Sequence, residues 1–174
     1  MNSVSDISCV SGQMPRIVGL AYASKLYRNN KNLSDMENFS INGNEVVFGT
    51  IGDASTSEGH FWEAINACGV LQVPLIMSIW DDGYGISVPS EYHTTRNDLS
   101  KALSGFQRSS KKENGYEIFT VHAWDYINLL KTYQKAEKLA REDHVPCIIH
   151  VKDVTQPQGH TTSGSHERYK SKER

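Results

Sequence analysis

Residues 45–80 read EVVFGTIGDASTSEGHFWEAINACGVLQVPLIMSIW, and this stretch decides the fold. It contains two short apolar runs, Glu45–Ile51 and Pro74–Trp80, of the kind that buried parallel strands show. The segment between them, from about Glu58 to Val70, has the length of a helix, and Ser55–Ser57 offers side chains that can cap its start. The pattern therefore predicts a strand, a crossover helix and a second strand parallel to the first.

The same alternation of helix and strand continues on both sides of this stretch. The further predicted elements are a helix over Pro15–Asn30, a short helix over Asp98–Gly105, a strand over Tyr116–Val121, a long helix capped by Asp125 and a strand over Val145–Val151. Such alternation is typical of an α/β fold, here a doubly wound parallel sheet with helices on both faces. We expect residues 1–174 to form a single domain cut from a longer chain, with a mobile loop and the start of a truncated helix over 153–174.

Composition excludes several classes of function. The chain has 174 residues, with 18 Lys+Arg against 20 Asp+Glu, so it has no excess of positive charge for a nucleic acid to bind. No apolar run approaches the roughly 18 residues that a membrane span needs. Three scattered cysteines do not suggest a disulfide framework, and we therefore expect a reducing, cytoplasmic location with neither nucleic acid nor membrane as a partner.

Two acidic loops follow the two strands of the opening stretch. Gly52-Asp53-Ala54-Ser55 comes after the first strand, and Asp82, which lies 29 residues after Asp53, comes after the second. Small residues before a helix allow a phosphate to approach the backbone, and a carboxylate beside a phosphate requires a cation such as Mg²⁺ between them. Each loop alone could also be an ordinary turn, in which Asp53 only caps the helix.

A family resemblance rests on these residues. Gly52-Asp53, followed at this spacing by Asp82-Gly-Tyr84-Gly85, resembles the thiamine diphosphate motif, normally Gly-Asp-Gly and then Asn-Asn about thirty residues later. The segments that extend the resemblance are Ser11–Pro15 with Val18-Gly19, Phe61–Asn66, Leu71–Pro74, and Gly159-His160 with Tyr169-Lys170. The chain is similar throughout to the alpha part of the decarboxylating component of 2-oxo acid dehydrogenases. Ser57-Glu58-Gly59 favours the 2-oxoisovalerate branch of the family. The sequence as a whole is similar to bacterial forms in which the alpha and beta parts are fused.

The resemblance implies a thiamine-diphosphate-binding fold and a role for each matched residue. Mg²⁺ would be held by Asp53, Asp82 and the backbone carbonyl of Tyr84. His160 would be the catalytic residue, facing the diphosphate and the lipoyl substrate, and Thr161 stands where animal relatives have a regulatory serine. The residues implied in cofactor binding are Ser8, Val10, Gly52, Asp53, Ala54, Ser55, Asp82, Tyr84, Ile86 and His160. Among these, Ser8, Val10 and Ile86 would meet the aminopyrimidine ring, and Gly52, Ala54 and Ser55 the diphosphate.

The implied reaction is the oxidative decarboxylation of a 2-oxo acid, with 2-oxoisovalerate favoured, and transfer of the acyl group to lipoamide. The implied partners are the beta part of the same enzyme, which supplies a glutamate that activates the cofactor, and a lipoyl-bearing acyltransferase. No segment of this chain matches that glutamate, so we predict that the chain alone is inactive.

Two departures from the family pattern keep other readings open. Ala54 replaces the third glycine of the motif, and Asp82 replaces the usual asparagine, which adds a negative charge beside a diphosphate. One alternative is a transketolase-like thiamine diphosphate enzyme. The other is a non-enzymatic metal-binding or interaction domain of Rossmann-like shape.

Overall fold

Helices and strands alternate along the computed structural model of the chain, which describes residues 8–33, 36–160 and 163–171. In chain order the elements are α1 (Met14–Asn29), β1 (Val47–Gly52), α2 (Gly59–Leu71), β2 (Leu75–Trp80), β3 (Tyr84–Gly85), β4 (Val88–Pro89), α3 (Leu99–Ala102), β5 (Glu117–His122), α4 (Tyr126–Asp143) and β6 (Cys147–Lys152). Short 3-10 turns join several of them, and β3 and β4 form a small antiparallel hairpin. Every helix and strand predicted before residue 153 is present, with ends displaced by a few residues.

The main sheet has the order β1-β2-β6-β5, and its three strand pairs are all parallel. The chain passes from β1 through β2 to β5 in one direction across the sheet and then returns to β6. Because parallel crossovers are right-handed, this reversal places α4 on the face opposite to α2. The predicted α/β class, a doubly wound parallel sheet with helices on both faces, is confirmed.

Each face of the sheet has its own hydrophobic core. On one face, α1 and α2 pack against alternate residues of β2, including Met77 and Ile79. On the other face, α4 contributes the buried Ala136 and Ala140, which pack with Ile76 of β2. The central strand β2 is therefore buried on both sides, and this explains its continuous apolar sequence. The two cores fix the carboxyl ends of β1 and β2, where both acidic loops begin.

The prediction that Ser55–Ser57 would cap α2 is wrong. Residues Ala54–Ser57 form a separate 3-10 turn, and Glu58 precedes α2 without a side-chain capping hydrogen bond. The hydroxyl of Thr56 donates to the carbonyl of Asp53 instead, at 2.6 Å. In contrast, the Asp125 cap of α4 is confirmed, because its carboxylate accepts from the Asn128 N–H.

The C-terminal tail contains one short 3-10 turn, Ser165–Arg168. Residues 172–174, where the predicted truncated helix would continue, lie outside the described residues, as does Thr161. Within the described part of the chain, no helix is both long and apolar enough to cross a bilayer.

Candidate functional site

The two acidic loops lie side by side at one edge of the sheet. Gly52 at the end of β1 pairs in register with Trp80 at the end of β2, and the Asp53 N–H donates to the Trp80 carbonyl at 3.1 Å. The predicted adjacency of the two strand ends is confirmed. Asp53 and Asp82 consequently follow neighbouring strands, and the negative charge of Asp82 acts on Asp53.

Asp53 is a buried carboxylate without a full counter-charge. It is only 3% exposed, and its Oδ2 has no hydrogen-bond partner among the described residues. Its ion-pair partner is His93, whose Nε2 lies 3.8 Å away and is itself buried without a hydrogen bond. Burial raises the pKa of the Asp53 carboxyl to about 7, and the negative charges of Asp81 and Asp82 add to the rise. Such a carboxylate has the properties of a ligand to a cation.

The neighbouring carboxylate of Asp81 is already neutralised. Its Oδ2 lies 2.8 Å from the Nε2 of His150, and its Oδ1 accepts from the Gly83 N–H at 2.9 Å. Burial tends to raise the pKa of Asp81, but the hydrogen bond and charge of His150 outweigh it, and the pKa is lowered. Asp81 is therefore part of the framework that shapes the turn.

Asp82 is also engaged in two contacts. Its Oδ1 accepts from the Tyr84 N–H at 3.1 Å, and its Oδ2 lies 3.3 Å from the ammonium of Lys170. Of the three neighbouring aspartates, Asp53 alone lacks a close hydrogen-bonded cation within the described residues. Asp53 is thus the least compensated of the three carboxylates.

An open cleft of about 390 Å³ adjoins these loops, and it brings together four of the predicted cofactor-binding residues: Ser8, Val10, Gly52 and Ser55. The Ser11 hydroxyl holds the N-terminal segment in place by donating to the Ser55 carbonyl at 2.9 Å. Val10 is exposed in this cleft, as an apolar contact for a ring requires. The indole of Trp80, 52% exposed, also lines the cleft.

The hairpin of β3 and β4 approaches the Asp53 loop very closely at Gly85. A Cβ atom at Gly85 would lie 2.8 Å from the Cβ of Ala54. Two methyl-sized groups cannot occupy that distance, so the loop and the hairpin can meet only because residue 85 is glycine.

Thiamine diphosphate and Mg²⁺ are the ligands that the family resemblance implies. If the chain binds them, we expect Gly85→Ala to weaken that binding by at least roughly tenfold, because the added methyl displaces Ala54 beside Asp53. Isothermal titration calorimetry measures the change. Gly105→Ala is the matched control, since a Cβ there would meet nothing within 4 Å, and it should bind like the unmodified chain. Equal affinities of the two variants would contradict the role given to this contact.

The structure does not bring all the predicted residues to the cleft. Ile86 is 59% exposed at the tip of the hairpin, with a φ of +59°, and it does not line the cleft. His160 is exposed beside the buried Gly159, and it does not line the cleft either. Asp53, Ala54, Asp82 and Tyr84 are also absent from the lining of the cleft, and the roles of all ten predicted cofactor-binding residues stay predictions.

Three contacts of the site were not predicted from the sequence: His93 with Asp53, Lys170 with Asp82, and His150 with Asp81. His93 belongs to no helical or strand periodicity, and it reaches Asp53 from the irregular segment after the hairpin. Lys170 and His150 are distant in sequence from the aspartates that they contact. No local spacing signal identifies any of them.

The chain is similar in sequence to several known proteins. The family model described as "Dehydrogenase E1 component" matches residues 2–174. The chain is 26% identical over 165 residues to the pyruvate dehydrogenase E1 component subunit alpha of Rickettsia bellii, covering 94% of this chain and 43% of that protein. It is 26% identical over 165 residues to the human mitochondrial 2-oxoisovalerate dehydrogenase subunit alpha, covering 94% of this chain and 32% of that protein. The corresponding Bacillus subtilis subunit is 27% identical over 146 residues, which are 84% of this chain and 38% of that subunit.

The chain thus spans about a third to two fifths of the length of these relatives. Among solved structures, transketolase from Campylobacter jejuni superposes with a TM-score of 0.62 at 20% identity, over 92% of this chain and 22% of that chain. At this level of identity the likeness concerns the fold alone, and it agrees with the predicted fold class. The family match extends over nearly the whole chain, and the chain belongs to the dehydrogenase E1 component family.

Proposed function

We propose that the chain is the thiamine diphosphate- and Mg²⁺-binding alpha part of a 2-oxo acid dehydrogenase. The proposed reaction is the oxidative decarboxylation of a 2-oxo acid with transfer of the acyl group to lipoamide. Relatives named as 2-oxoisovalerate dehydrogenase subunits and the Ser57-Glu58-Gly59 segment favour a branched 2-oxo acid, with pyruvate as the main competitor.

The observation that carries the proposal is the uncompensated carboxylate of Asp53. A divalent cation would relieve both the buried charge and the repulsion from Asp82. Asp53, Asp82 and the carbonyl of Tyr84 are the proposed ligands. Mg²⁺ commonly combines one or two carboxylates with phosphate oxygens, and the backbone of Gly52, Ala54 and Ser55 lies beside Asp53 to receive a diphosphate.

When bound, the cofactor would supply the nucleophile and the electron sink for decarboxylation of a 2-oxo acid. The chain's own residues bind and orient it. Ser8 and Val10 line the cleft and are proposed to contact the aminopyrimidine. Ile86, on the hairpin outside the cleft lining, is proposed to meet the same ring. His160 is proposed to act at the diphosphate and the lipoyl group.

The proposal includes partners, because the chain lacks a match to the glutamate that activates the cofactor in this family. A beta part, on the same or a separate chain, would supply it, and a lipoyl-bearing acyltransferase would accept the acyl group. A cytoplasmic location is proposed on the basis of three free cysteines, two of them buried. The purified chain alone is expected to turn over neither 2-oxoisovalerate nor pyruvate.

Calorimetry with thiamine diphosphate tests the proposal. We expect saturable binding in the presence of Mg²⁺ and its loss when EDTA replaces Mg²⁺, because the diphosphate is repelled by Asp53 and Asp82 without the ion. Binding in neither condition would reject the cofactor site and support a non-enzymatic interaction domain. The same titration with His160→Ala measures whether that residue contributes.

Turnover assays then identify the class of enzyme. The chain combined with its beta part is expected to release CO₂ from 2-oxoisovalerate, while transfer between sugar phosphates would identify a transketolase-like enzyme instead. Release of CO₂ by the chain without the beta part would contradict the proposed division of the active site.

A further inference from the structure

Lys170 places a positive charge inside the proposed metal site. Its side chain is only 9% exposed, and its ammonium donates to the Asp82 Oδ2 at 3.3 Å and to the Gln156 carbonyl at 3.4 Å. The same ammonium lies 5.3 Å from the centroid of the Tyr84 ring. A lysine so far removed from water requires a counter-charge, and Asp82 provides it.

The contact also fastens the C-terminal tail to the metal loop. The ring of Tyr169 lies 5.8 Å from that of Tyr84, and the Tyr84 hydroxyl donates to the Tyr169 carbonyl at 3.5 Å. Tyr169 and Lys170 directly follow the 3-10 turn Ser165–Arg168. Two consecutive residues of the tail therefore hold it against the turn that contains Asp82 and Tyr84.

Asp82 is the position at which this chain adds a negative charge to the family pattern, and Lys170 is the cation that meets it. The aspartate Oδ1 is occupied by the Tyr84 N–H, so the ammonium competes with a metal ion for Oδ2. A cation in this position also reduces the repulsion between Asp82 and a bound diphosphate.

We propose that Lys170 is a positioning residue that acts as the resident cation of the Asp82 half of the site. It balances the charge of Asp82 toward the diphosphate, moderates the attraction of that carboxylate for metal, and fastens residues 163–171 to the hairpin. The expected effects of Lys170 on ligand binding rest on the proposed function. The ion pair between Asp82 and Lys170 is present in the ligand-free structure. Asp82 and Lys170 should therefore behave as one unit under mutation.

Two titrations of Lys170→Gln test the electrostatic part. Binding of Mg²⁺ alone should become about fivefold tighter, because Asp82 loses a competing cation, and binding of thiamine diphosphate at saturating Mg²⁺ about fivefold weaker. In the double variant Asp82→Asn/Lys170→Gln both charges are gone, and thiamine diphosphate affinity should return to within about twofold of the unmodified chain. Lys131→Gln, an exposed lysine on α4, is the control and should change neither affinity.

The two affinities must move in opposite directions in Lys170→Gln. If both fall together, Lys170 has only a structural role and the inference is overturned. If the double variant binds thiamine diphosphate no better than Lys170→Gln, the two residues are not coupled, and the inference is again overturned.

The pairing is measured separately in the ligand-free chain by the rate of chymotryptic cleavage after Tyr169. Each single variant should be cleaved several-fold faster than the unmodified chain, and the double variant no faster than the faster single one. Unchanged cleavage in both single variants would overturn the inference whatever the ligand data show. If the unmodified chain binds no thiamine diphosphate while cleavage responds as expected, the proposed function fails and the pairing stands.

Discussion

Asp53→Asn is expected to stabilise the ligand-free chain while abolishing its Mg²⁺-dependent binding of thiamine diphosphate. The pKa of the Asp53 carboxyl rises from 3.8 to about 7 in the folded chain. A rise of about 3 units, at about 1.4 kcal/mol each, means that folding loses as much as about 4 kcal/mol when this group is ionised. Asparagine is nearly the same shape and carries no charge. The loss of stability therefore disappears with the charge, and the proposed principal metal ligand is removed.

The sign of the effect can be read from its pH dependence. Because the folded-state pKa is raised, the stability contributed by Asp53 is complete below about pH 4 and is lost as the pH rises through 7. The unmodified chain and Asp53→Asn should therefore have similar free energies of unfolding near pH 4 and differ most at pH 8. Urea unfolding at pH 4, 6 and 8 measures the difference.

The control for Asp53→Asn is Asp143→Asn, at the exposed end of α4, which should change stability by less than about 0.5 kcal/mol at every pH. If Asp53→Asn is no more stable than the unmodified chain at pH 8, the ionised Asp53 carboxylate does not destabilise the folded chain. If it still binds thiamine diphosphate with Mg²⁺ at unchanged affinity, Asp53 is not the principal ligand.

Replacing His150 with alanine should destabilise the chain by about 3 kcal/mol. His150 is fully buried, and it lies between the Asp81 carboxylate, at 2.8 Å from Nε2, and the Ser100 hydroxyl, at 2.7 Å from Nδ1. Nε2–H donates to Asp81, and Nδ1 shares a hydrogen bond with the Ser100 hydroxyl. Alanine leaves the largely buried carboxylate unpaired and opens a cavity between β6 and α3, and thermal or urea unfolding measures the loss.

His122→Ala is the matched control for His150→Ala, since His122 pairs with Asp153 at the surface, where both side chains are about half exposed. An exposed pair contributes little, and we expect a loss of roughly 0.5 kcal/mol. Similar losses in the two variants would show that burial does not determine the value of the His150 pair. The His150 effect should also shrink in acid, because the lowered pKa of Asp81 contributes stability that is lost as the pH falls through it.

The sequence was sufficient to predict the sheet and the meeting of its two acidic loops. Strand and helix alternate clearly from Glu45 to Trp80, and strands that follow one another along a chain are usually neighbours in the sheet, as β1 and β2 are here. The capping of α2 was mispredicted, because the candidate hydroxyls make other hydrogen bonds. The Thr56 hydroxyl donates to the Asp53 carbonyl within the turn, and the Ser57 hydroxyl donates to the His93 carbonyl. A capping side chain and a turn-stabilising side chain are the same residue types, so composition does not separate them.

The charge state of the site could not be predicted from the sequence. Asp53, Asp81 and Asp82 look alike in a one-dimensional pattern, and their differences arise from partners far along the chain. His150 contacts Asp81, and Lys170 contacts Asp82, each within hydrogen-bonding distance. The Nε2 atom of His93 lies 3.8 Å from the Asp53 carboxylate, too far for a hydrogen bond. These distances are set by the conformation of the loops in the folded chain, and the spacing of residues along the sequence does not predict them.

The strand order has a consequence for how the chain acquires its structure. β6 follows the other described strands along the chain, yet it inserts between β2 and β5 and joins them in one sheet. Pairing across such long sequence separations is slow, because loop-closure entropy must be overcome first. The Asp81 N–H bonds to the Val151 carbonyl of β6, so the turn that carries Asp82 is not secured until then. A ribosome-bound chain that has not yet released β6 would therefore have its first strand and helix but an unfinished ligand pocket.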